Sequence, residues 1–313
     1  MSRAASARHS CTVGVVIPTF DHARFLGDAL DSVMAQTRPA HEIVVVDDGS
    51  RDDPGAVVAR YPKVRLLRQA NAGLSAARNA GLAAITADYV VFLDADDVLY
   101  PGAIASNLAL FAENPAVGFV YGGYERVAAD LRLLLGPCYI AAGDDPLATF
   151  LERNAVGMHA TVLYSAARLR DAGGFDPSLR SCEDYDVYLQ MAKRYGVVSR
   201  PGVIARYRIH DTNMSGDPAR MLKWALRVHA RHKPSGALAP YLPHWKAGRR
   251  HWRRVYADAA FDGQWGTHEG GSLAAIASVL PLAPRRVLQR AWLALASAAR
   301  NSFSGRPGAP HAP

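Results

Sequence analysis

The chain has 313 residues, of which 50% are hydrophobic and 20% are charged, and its formal net charge is +8. This composition is typical of a globular protein with one large domain and an appendage, or with two domains. It argues against a membrane-spanning protein, because no apolar run approaches the roughly 18 residues that a span requires. The first ten residues lack the apolar core of a signal peptide, and three widely separated cysteines fit a reducing cytosol.

The positive charge is concentrated in the last third of the chain. Residues 1–215 contain 21 Lys and Arg against 24 Asp and Glu, a net charge of −3. Residues 216–313 contain 15 against 4, a net charge of +11. We therefore expect three parts: a first domain at 12–215, a basic helical extension at 216–303 and a disordered tail at 304–313.

The first hundred residues alternate between predicted strands and helices. Apolar runs predict strands, and helical spacing predicts helices, at residues 13–17, 21–36, 43–46, 64–67 and 76–84. Asp21 is the expected N-cap of the first helix. Such alternation predicts right-handed βαβ units and a mostly parallel, Rossmann-like sheet flanked by helices.

The stretch at residues 89–97 has an unbroken apolar run that leads into three carboxylates. An apolar run without alternation predicts a strand that is buried on both faces of a parallel sheet. Ligands of such sheets bind beyond the carboxyl ends of the strands. Asp94, Asp96 and Asp97 would then lie at the ligand edge, where a cation such as Mg²⁺ or Mn²⁺ offsets their repulsion. A solvated acidic turn is the alternative.

Polar residues follow the other predicted strands as well. Pro18 and Thr19 follow the first strand, and Asp48 follows the second. Asn71 and Gly73 precede a helix whose free N–H groups favour a phosphate. Arg78, one turn into that helix, supplies a cation near the same place, although it could also be a surface residue.

Later elements are predicted as a helix at 101–113, a strand at 117–121, an amphipathic helix at 184–195 and a strand at 203–209, with less regular sequence between 121 and 162. Glu183 and Asp184 open the amphipathic helix, where they serve as helix-capping acids or one of them serves as a general base. His210 follows the last strand and is either structural or a ligand for a metal or phosphate.

Six segments in this order resemble family 2 glycosyltransferases with the GT-A fold. They are Val16–Phe20, Ile43–Ser50, Asn71–Asn79, Phe92–Asp97, Gly173–Asp184 and Tyr207–His210, so the resemblance covers roughly residues 12–215. It implies transfer of a sugar from a nucleoside diphosphate sugar, with UDP-sugars favoured, to an acceptor hydroxyl with inversion. A bacterial role in surface polysaccharide or glycolipid synthesis would follow.

The resemblance also implies residue roles. Nucleotide-sugar binding falls to Pro18, Thr19, Asp48, Asn71, Gly73, Arg78 and Asp94, and a divalent metal (Mg²⁺ or Mn²⁺) to Asp96 and His210. Asp184 would be the general base, with Glu183 as an open alternative. A non-catalytic nucleotide-sugar-binding protein of the same fold is a second functional hypothesis, and a nucleotidyltransferase is a third.

The basic extension has two readings. Residues 248–254 with Trp245 and Trp252, and the apolar residues 287–299 with their flanking arginines, are typical of helices that lie on an anionic membrane surface. They are equally typical of an amphipathic cap packed on the catalytic domain. No recognition motif for nucleic acid accompanies the charge. We therefore expect a cytoplasmic enzyme, peripheral to the inner face of the plasma membrane, with a saccharide or lipid-linked acceptor.

Overall fold

The computed structural model describes residues 11–262 and 273–304. The expectations for the first ten residues and for a disordered tail after Ser304 therefore lie outside the described residues. Within them, the chain folds as an α/β protein, as predicted, with helices on both faces of a single sheet.

The N-terminal part of the chain alternates strands with helices. Its elements are β1 (Val13–Thr19), α1 (Ala23–Met34), β2 (Glu42–Asp47), α2 (Pro54–Val58), β3 (Val64–Arg68), α3 (Leu74–Ala84), β4 (Tyr89–Phe92), β5 (Val98–Leu99) and α4 (Ala103–Glu113). All of the strands and helices that the sequence predicted here are present. The acidic residues follow β4, whose last residue is Phe92, as the sequence predicted.

The middle of the chain is more regular than the sequence indicated. It contains β6 (Val117–Val127), β7 (Leu133–Cys138), α5 (Pro146–Glu152), β8 (Val162–Ser165), α6 (Ala166–Asp171), α7 (Glu183–Arg194) and β9 (Gly196–Arg208). The prediction of less regular sequence between 121 and 162 is therefore wrong for much of that stretch. Glycines at 122 and 123 interrupt the apolar pattern of β6, although the strand continues through them.

Nine strands within the described residues form one sheet, with neighbours in the order β3-β2-β1-β4-β8-β6-β9-β5 and with β7 added to β6. Strands β1 to β4 pair in parallel with one another. β8 runs antiparallel to both β4 and β6. The carboxyl ends of β1, β2 and β4 therefore share one edge of the sheet.

Side chains of the central strand β1 alternate between two apolar layers, as the pleat of a strand requires. Val15 and Ile17 pack with Leu26 of α1 on one face, while Val16 packs with Ala77 of α3 on the other. Because both layers are apolar, β1 reads as a continuous apolar run, which is why the sequence predicted it well.

Four helices follow the sheet: α8 (Pro218–Arg231), α9 (Leu242–Asp262), α10 (Leu273–Val279) and α11 (Pro284–Ser304). α9 packs against α5 and α8, and α8 packs against α7. Leu222, Trp252 and Tyr256 share one apolar core with Phe150 of α5, which lies in the sheet-containing part of the chain. Helices α8 and α9 thus form the packed cap that the sequence left open, and the domain boundary near residue 215 stays a prediction. Among the described helices, none has the length and apolar character needed to cross a bilayer.

Candidate active site

A cavity of about 900 Å³ lies at the edge of the sheet where β1, β2 and β4 end. Ten of the eleven predicted site residues line it: Pro18, Thr19, Asp48, Asn71, Gly73, Arg78, Asp94, Asp96, Glu183 and Asp184. His210 does not line the cavity, but its Nε2 lies 2.9 Å from Oδ2 of Asp96, which does. The fold therefore brings together residues from six separate segments of the chain.

Asp48 fixes the loop that leads into α3. Its Oδ1 accepts hydrogen bonds from the backbone N of Ala72 at 2.9 Å and from Nε2 of Gln69 at 2.7 Å, and its Oδ2 accepts one from the backbone N of Gly73 at 2.8 Å. The sequence predicted that N–H groups here would be free for a phosphate. For Ala72 and Gly73 that prediction is wrong, because a carboxylate at the end of β2 already binds these donors.

Thr19 has an unsatisfied hydroxyl at the same end of the cavity. The residue is buried, and within the described chain its Oγ1 has no hydrogen-bond partner. Leaving a buried hydroxyl unpaired costs about 1–3 kcal/mol, and native structures rarely do so without a reason. A polar ligand atom beside Thr19 would satisfy this group, which supports its predicted place in a binding site.

Arg78 is the centre of a buried ionic network. Its Nη2 donates to Oδ1 of Asp94 at 2.8 Å, and its Nη1 donates to Oε1 of Glu183 at 2.7 Å. Burial opposes the charge of Arg78, but attraction to the surrounding carboxylates outweighs it and raises the pKa of the guanidinium. Since both terminal nitrogens are engaged, Arg78 links the acidic turn after β4 to the start of α7 as well as lining the cavity.

Glu183 and Asp184 are adjacent in sequence but differ in environment. Glu183 forms an ion pair with Arg78, whose Nη1 donates to its Oε1. Asp184 instead accepts a hydrogen bond on Oδ1 from the backbone N of Tyr185 at 2.7 Å. Burial, and then repulsion from Glu183, raise the pKa of Asp184 to about 7. A carboxylate that titrates near neutral pH is suited to accept a proton, so the geometry favours Asp184 over Glu183 as general base.

Cys182 immediately precedes this pair and has a left-handed backbone with φ of 60°. Burial, reinforced by the charges of Asp184 and Glu183, raises the pKa of its thiol well above the usual value. A thiol of this kind stays protonated and is a poor nucleophile. The strained backbone turns the chain into α7, so that Glu183 and Asp184 face the cavity at its first turn.

Asp96 and two histidines form the one group within the described residues whose ligand atoms converge as a metal site requires. Single ligand atoms from His22, Asp96 and His210 all lie within 4.8 Å of one another. Burial opposes the charge on Asp96, but the hydrogen bond from His210 and the proximity of His22 outweigh it and lower the pKa of Asp96. One carboxylate oxygen with two imidazole nitrogens is a mixed donor set that suits a divalent transition-metal ion.

His22 was missed from the sequence. It stands just before α1, and its ring lies edge-on to that of His210 with centroids 5.5 Å apart. No motif marks this histidine, because its closeness to Asp96 depends on how β1 and the chain after β9 meet in the fold. The signal available was its position three residues after β1 ends at Thr19, on the predicted ligand edge.

Asp97 and Arg208 hold the acidic turn in place. Oδ1 of Asp97 accepts a hydrogen bond from the backbone N of Arg208 at 3.0 Å, and Nε of Arg208 donates to the carbonyl of Asp96 at 2.7 Å. Burial, with repulsion from Asp96 and Asp94, raises the pKa of Asp97 well above its usual value. Asp97 is therefore a structural member of the acidic turn rather than a metal ligand.

The predicted capping role of Asp21 is wrong. Asp21 has φ of 56°, and its carboxylate accepts hydrogen bonds from the backbone N and side chain of Arg51. The N-terminus of α1 is capped instead by Asp52. Its Oδ2 accepts a hydrogen bond from the backbone N of Ala23 at 2.7 Å. A cap supplied from a distant loop is invisible to a local sequence pattern.

The far wall of the cavity comes from the C-terminal helices. Its residues were not predicted as part of a site: Arg220, Met221, His251, Trp252, Val255 and Tyr256. Trp252 packs against Tyr185, the residue after the candidate base, with ring centroids 5.2 Å apart. The basic extension therefore helps to form the cavity, on the side opposite the strand ends.

Comparison with known proteins agrees with this architecture. Residues 14–166 match the family described as Glycosyl transferase family 2. An uncharacterized glycosyltransferase of Rickettsia typhi is 27% identical over 225 residues, which are 69% of each chain. Another, from Nostoc sp., is 40% identical over 114 residues, which are 35% of each chain.

Solved structures show the same fold at low sequence identity. The crystal structure of S. aureus TarS 1-349 has a TM-score of 0.61 and 17% identity, covering 88% of this chain and 82% of that one. The mannosyltransferase PcManGT of Pyrobaculum calidifontis, in complex with GDP-Man and Mn²⁺, has a TM-score of 0.60 and 20% identity, covering 94% and 88%. The fold is that of the GT-A glycosyltransferases, as predicted. Over residues 14–166, just under half of its length, the chain is therefore similar to glycosyltransferase family 2.

Proposed function

We propose that this protein is a metal-dependent, inverting glycosyltransferase that moves a sugar from a nucleoside diphosphate sugar to an acceptor hydroxyl. The observation that carries the proposal is the pairing of two groups across one cavity. A His–Asp–His cluster with metal-ligand geometry includes Asp96, and a carboxylate with a pKa of about 7, Asp184, lines the same cavity. The cluster around Asp96 suits a leaving diphosphate, and Asp184 suits an incoming hydroxyl.

The division of roles follows from these surroundings. Asp96, with His22 and His210, would hold a divalent metal, which as a Lewis acid offsets negative charge that develops on a leaving diphosphate. Asp184 accepts the proton of the acceptor hydroxyl as the oxygen attacks the anomeric carbon. Arg78 is a positioning residue, because it ties Asp94 to Glu183 and so keeps the start of α7 against the acidic turn. Attack opposite the leaving group in a single displacement inverts the anomeric carbon.

The donor end of the cavity is proposed to contain Pro18, Thr19, Asp48, Asn71, Gly73 and Asp94. The unpaired hydroxyl of Thr19 supports a polar ligand there. TarS has been solved in complex with UDP and with UDP-GlcNAc, and PcManGT with GDP-Man, so proteins of this fold take nucleotide sugars with different bases. We favour a UDP-sugar as the donor.

The acceptor is proposed to be a saccharide or a lipid-linked sugar, bound at the aromatic wall formed by α9. We assign the reaction to bacterial surface polysaccharide or glycolipid synthesis, in the cytoplasm at the inner face of the plasma membrane. A non-catalytic nucleotide-sugar-binding protein is the second candidate, and a nucleotidyltransferase is the third. Convergence of a metal-ligand cluster and a raised-pKa carboxylate on one cavity favours an enzyme over a binding protein.

The experiment is a thermal-shift panel of UDP-, GDP- and dTDP-sugars with and without Mn²⁺. A ligand that binds only the native state raises the melting temperature by mass action. We expect one nucleotide class to stabilise the wild type in a metal-dependent way, and Asp96→Ala and His22→Ala to abolish the metal dependence. Asp211→Ala is the matched control, because this exposed carboxylate lies next to His210 but outside the cluster.

Two further measurements separate the candidate functions. Hydrolysis or transfer of the stabilising donor, followed by NMR of the product, gives both activity and anomeric configuration. Binding without any turnover would favour the non-catalytic candidate, and a product with retained configuration would contradict inversion. If no nucleotide sugar shifts the melting temperature, the proposed function is wrong.

A further inference from the structure

The last described helix exposes an apolar stripe to solvent. On α11, Leu288, Trp292 and Leu295 are 64%, 66% and 70% exposed, and they lie at positions i, i+4 and i+7, so they share one helix face. Leu293, beside them, is 42% exposed. Single exposed leucines are ordinary, but a continuous stripe with an exposed tryptophan indicates a surface that contacts something apolar.

The opposite face of α11 holds the helix in this orientation. Val287 is buried, and Nε and Nη2 of Arg286 donate to the two carboxylate oxygens of Asp258 on α9 at 3.0 and 2.8 Å. Arg290 also lies close to Asp258, at 3.5 Å, and over the ring of Phe261. Because these contacts fix the inner face, the apolar stripe cannot turn inward without breaking a bidentate ion pair.

In the other segment that could contact a membrane, the structure covers the aromatic side chains. On α9, Trp252 is 7% exposed and stacks on Tyr256, and the half-buried Trp245 stacks on His229 while its Nε1 donates to the carbonyl of that residue. The aromatic residues of α9 therefore belong to the core and to the cavity wall. Among the described residues of the extension, α11 carries four of the six exposed large apolar side chains, and the other two are Leu273 and Leu280.

The positive charge of the extension favours one kind of partner for this apolar stripe. Residues 216–313 carry 15 Lys and Arg against 4 Asp and Glu, and the exposed Arg285 flanks the stripe one turn before Leu288. Two copies of such a surface would repel each other, whereas an anionic bilayer attracts basic residues and accepts leucine and tryptophan at its interface. We propose that α11 docks on an anionic lipid surface, with Leu288, Trp292 and Leu295 inserted at the headgroup boundary. This inference is independent of which sugar the enzyme transfers.

The test is co-sedimentation with vesicles of phosphatidylcholine with and without phosphatidylglycerol. We expect the wild type to bind the anionic vesicles and the triple variant Leu288→Gln, Trp292→Gln, Leu295→Gln to bind them at least about tenfold more weakly, because apolar burial and charge both contribute to such binding. Leu134→Gln is the matched control, since Leu134 on β7 is also exposed but far from the extension in sequence. An unchanged melting temperature checks the fold of each variant.

Tryptophan fluorescence locates the contact. Anionic vesicles should shift the emission of the wild type to shorter wavelength, and Trp292→Phe should still bind while losing that shift. The proposal is overturned if the wild type binds no vesicles, if neutral vesicles bind equally well, or if the triple variant binds as tightly as the wild type. Two other outcomes also overturn it: a dimer that the triple variant converts to monomer, or a Trp292 that acrylamide cannot quench in the free protein, which would mean that the chain itself covers the stripe.

Discussion

At the scale of single residues, the site depends on two neighbouring carboxylates that their surroundings make different. Arg78 neutralises Glu183, while burial and the charge of Glu183 raise the pKa of Asp184 to about 7. One acid is thereby committed to structure and the other is left to exchange a proton near neutral pH. Three predictions follow from this arrangement: two concern Asp184 and one concerns Arg78.

Replacing Asp184 by Asn should remove the proposed general base. We expect kcat to fall by about 10²- to 10⁴-fold with little change in the KM for the donor. In the wild type, activity should rise with pH through about 7, because the carboxylate must be ionised to accept the proton. Glu183→Gln is the comparison: a pH profile whose acidic limb disappears in that variant, rather than in Asp184→Asn, would make Glu183 the base.

Asp184→Asn should lower activity but raise the stability of the fold. A carboxyl group whose pKa is raised on folding contributes stability below its unfolded pKa of about 4, and that contribution is lost as pH rises through about 7. At pH 8 the free energy of unfolding of Asp184→Asn should therefore exceed that of the wild type by roughly 1–2 kcal/mol. The melting temperature should be a few degrees higher. The difference should shrink toward pH 4, and a variant that is less stable at pH 8 would contradict the raised pKa.

Replacing Arg78 by Met should be strongly destabilising. It leaves Asp94 and Glu183 without their buried partner, and removing one side of a buried ion pair costs about 3–5 kcal/mol. Urea denaturation gives the free energy of unfolding directly. Arg60→Met is the control, since Arg60 is exposed and should change stability by no more than about 0.5 kcal/mol. Equal losses in the two variants would mean that the network contributes no stability.

Sequence patterns could predict which residues meet at the sheet edge, but not what each one contacts there. Asp48, Asp94 and Asp96 follow apolar strands, and parallel pairing alone puts them together. The proximity of His22 to Asp96 depends on side-chain directions across three segments, which no local pattern contains. For the same reason no sequence pattern indicated that Asp48 would accept a hydrogen bond from the backbone N of Gly73.

At the scale of elements, the close approach of α3 to β1 positions Arg78 and the loop before it. Gly81 permits this approach, because a Cβ there would lie 2.2 Å from Cγ1 of Val16 in the middle of the sheet. A contact of that length cannot form, so the helix would have to move away from the strand. We expect Gly81→Ala to lower the free energy of unfolding by about 1–3 kcal/mol and to weaken nucleotide-sugar binding.

Gly102→Ala is the matched control for this substitution. An added Cβ at Gly102 meets no atom within 4 Å, and its φ of −91° suits any residue, so stability should stay within about 0.5 kcal/mol of the wild type. Chemical denaturation of the two variants measures both effects. If Gly81→Ala were as stable as Gly102→Ala, the packing of α3 would have to be looser than the structure indicates.

Elements were predicted where the apolar run was unbroken and missed where it was interrupted. β2 and β4 are buried on both faces and read as continuous apolar stretches, so they were found. The N-terminal part of β9 includes Arg200, Pro201 and Gly202, which signal a turn locally but here stay in the strand. Pairing along β6 keeps this segment extended, and such tertiary pairing overrides local propensity.

At the scale of the whole molecule, one apolar core continues from the catalytic part into the C-terminal helices. Val228 of α8 and Trp252 of α9 belong to the same cluster as Phe150 and Tyr188. The sequence left open whether these helices cap the domain or lie on a membrane, because an amphipathic pattern shows that a helix has an apolar face but not what covers it. In the structure the apolar face of α9 is buried in the core, whereas the apolar stripe of α11 is exposed to solvent.

Because the core is continuous, we expect helices α8 to α10 of the extension to be required for folding. Helix α11 should not be required. A chain that ends at residue 215 would expose the faces of α5 and α7 that α8 and α9 cover, and we expect it to aggregate or to lose its cooperative unfolding transition. A chain that ends at residue 283 keeps those helices and should remain folded and bind nucleotide sugar. Calorimetry and gel filtration test both, and the full chain should unfold in a single transition. A chain ending at residue 215 that stays monomeric and melts as the full chain does would show instead that residues 216–313 fold as a separate unit.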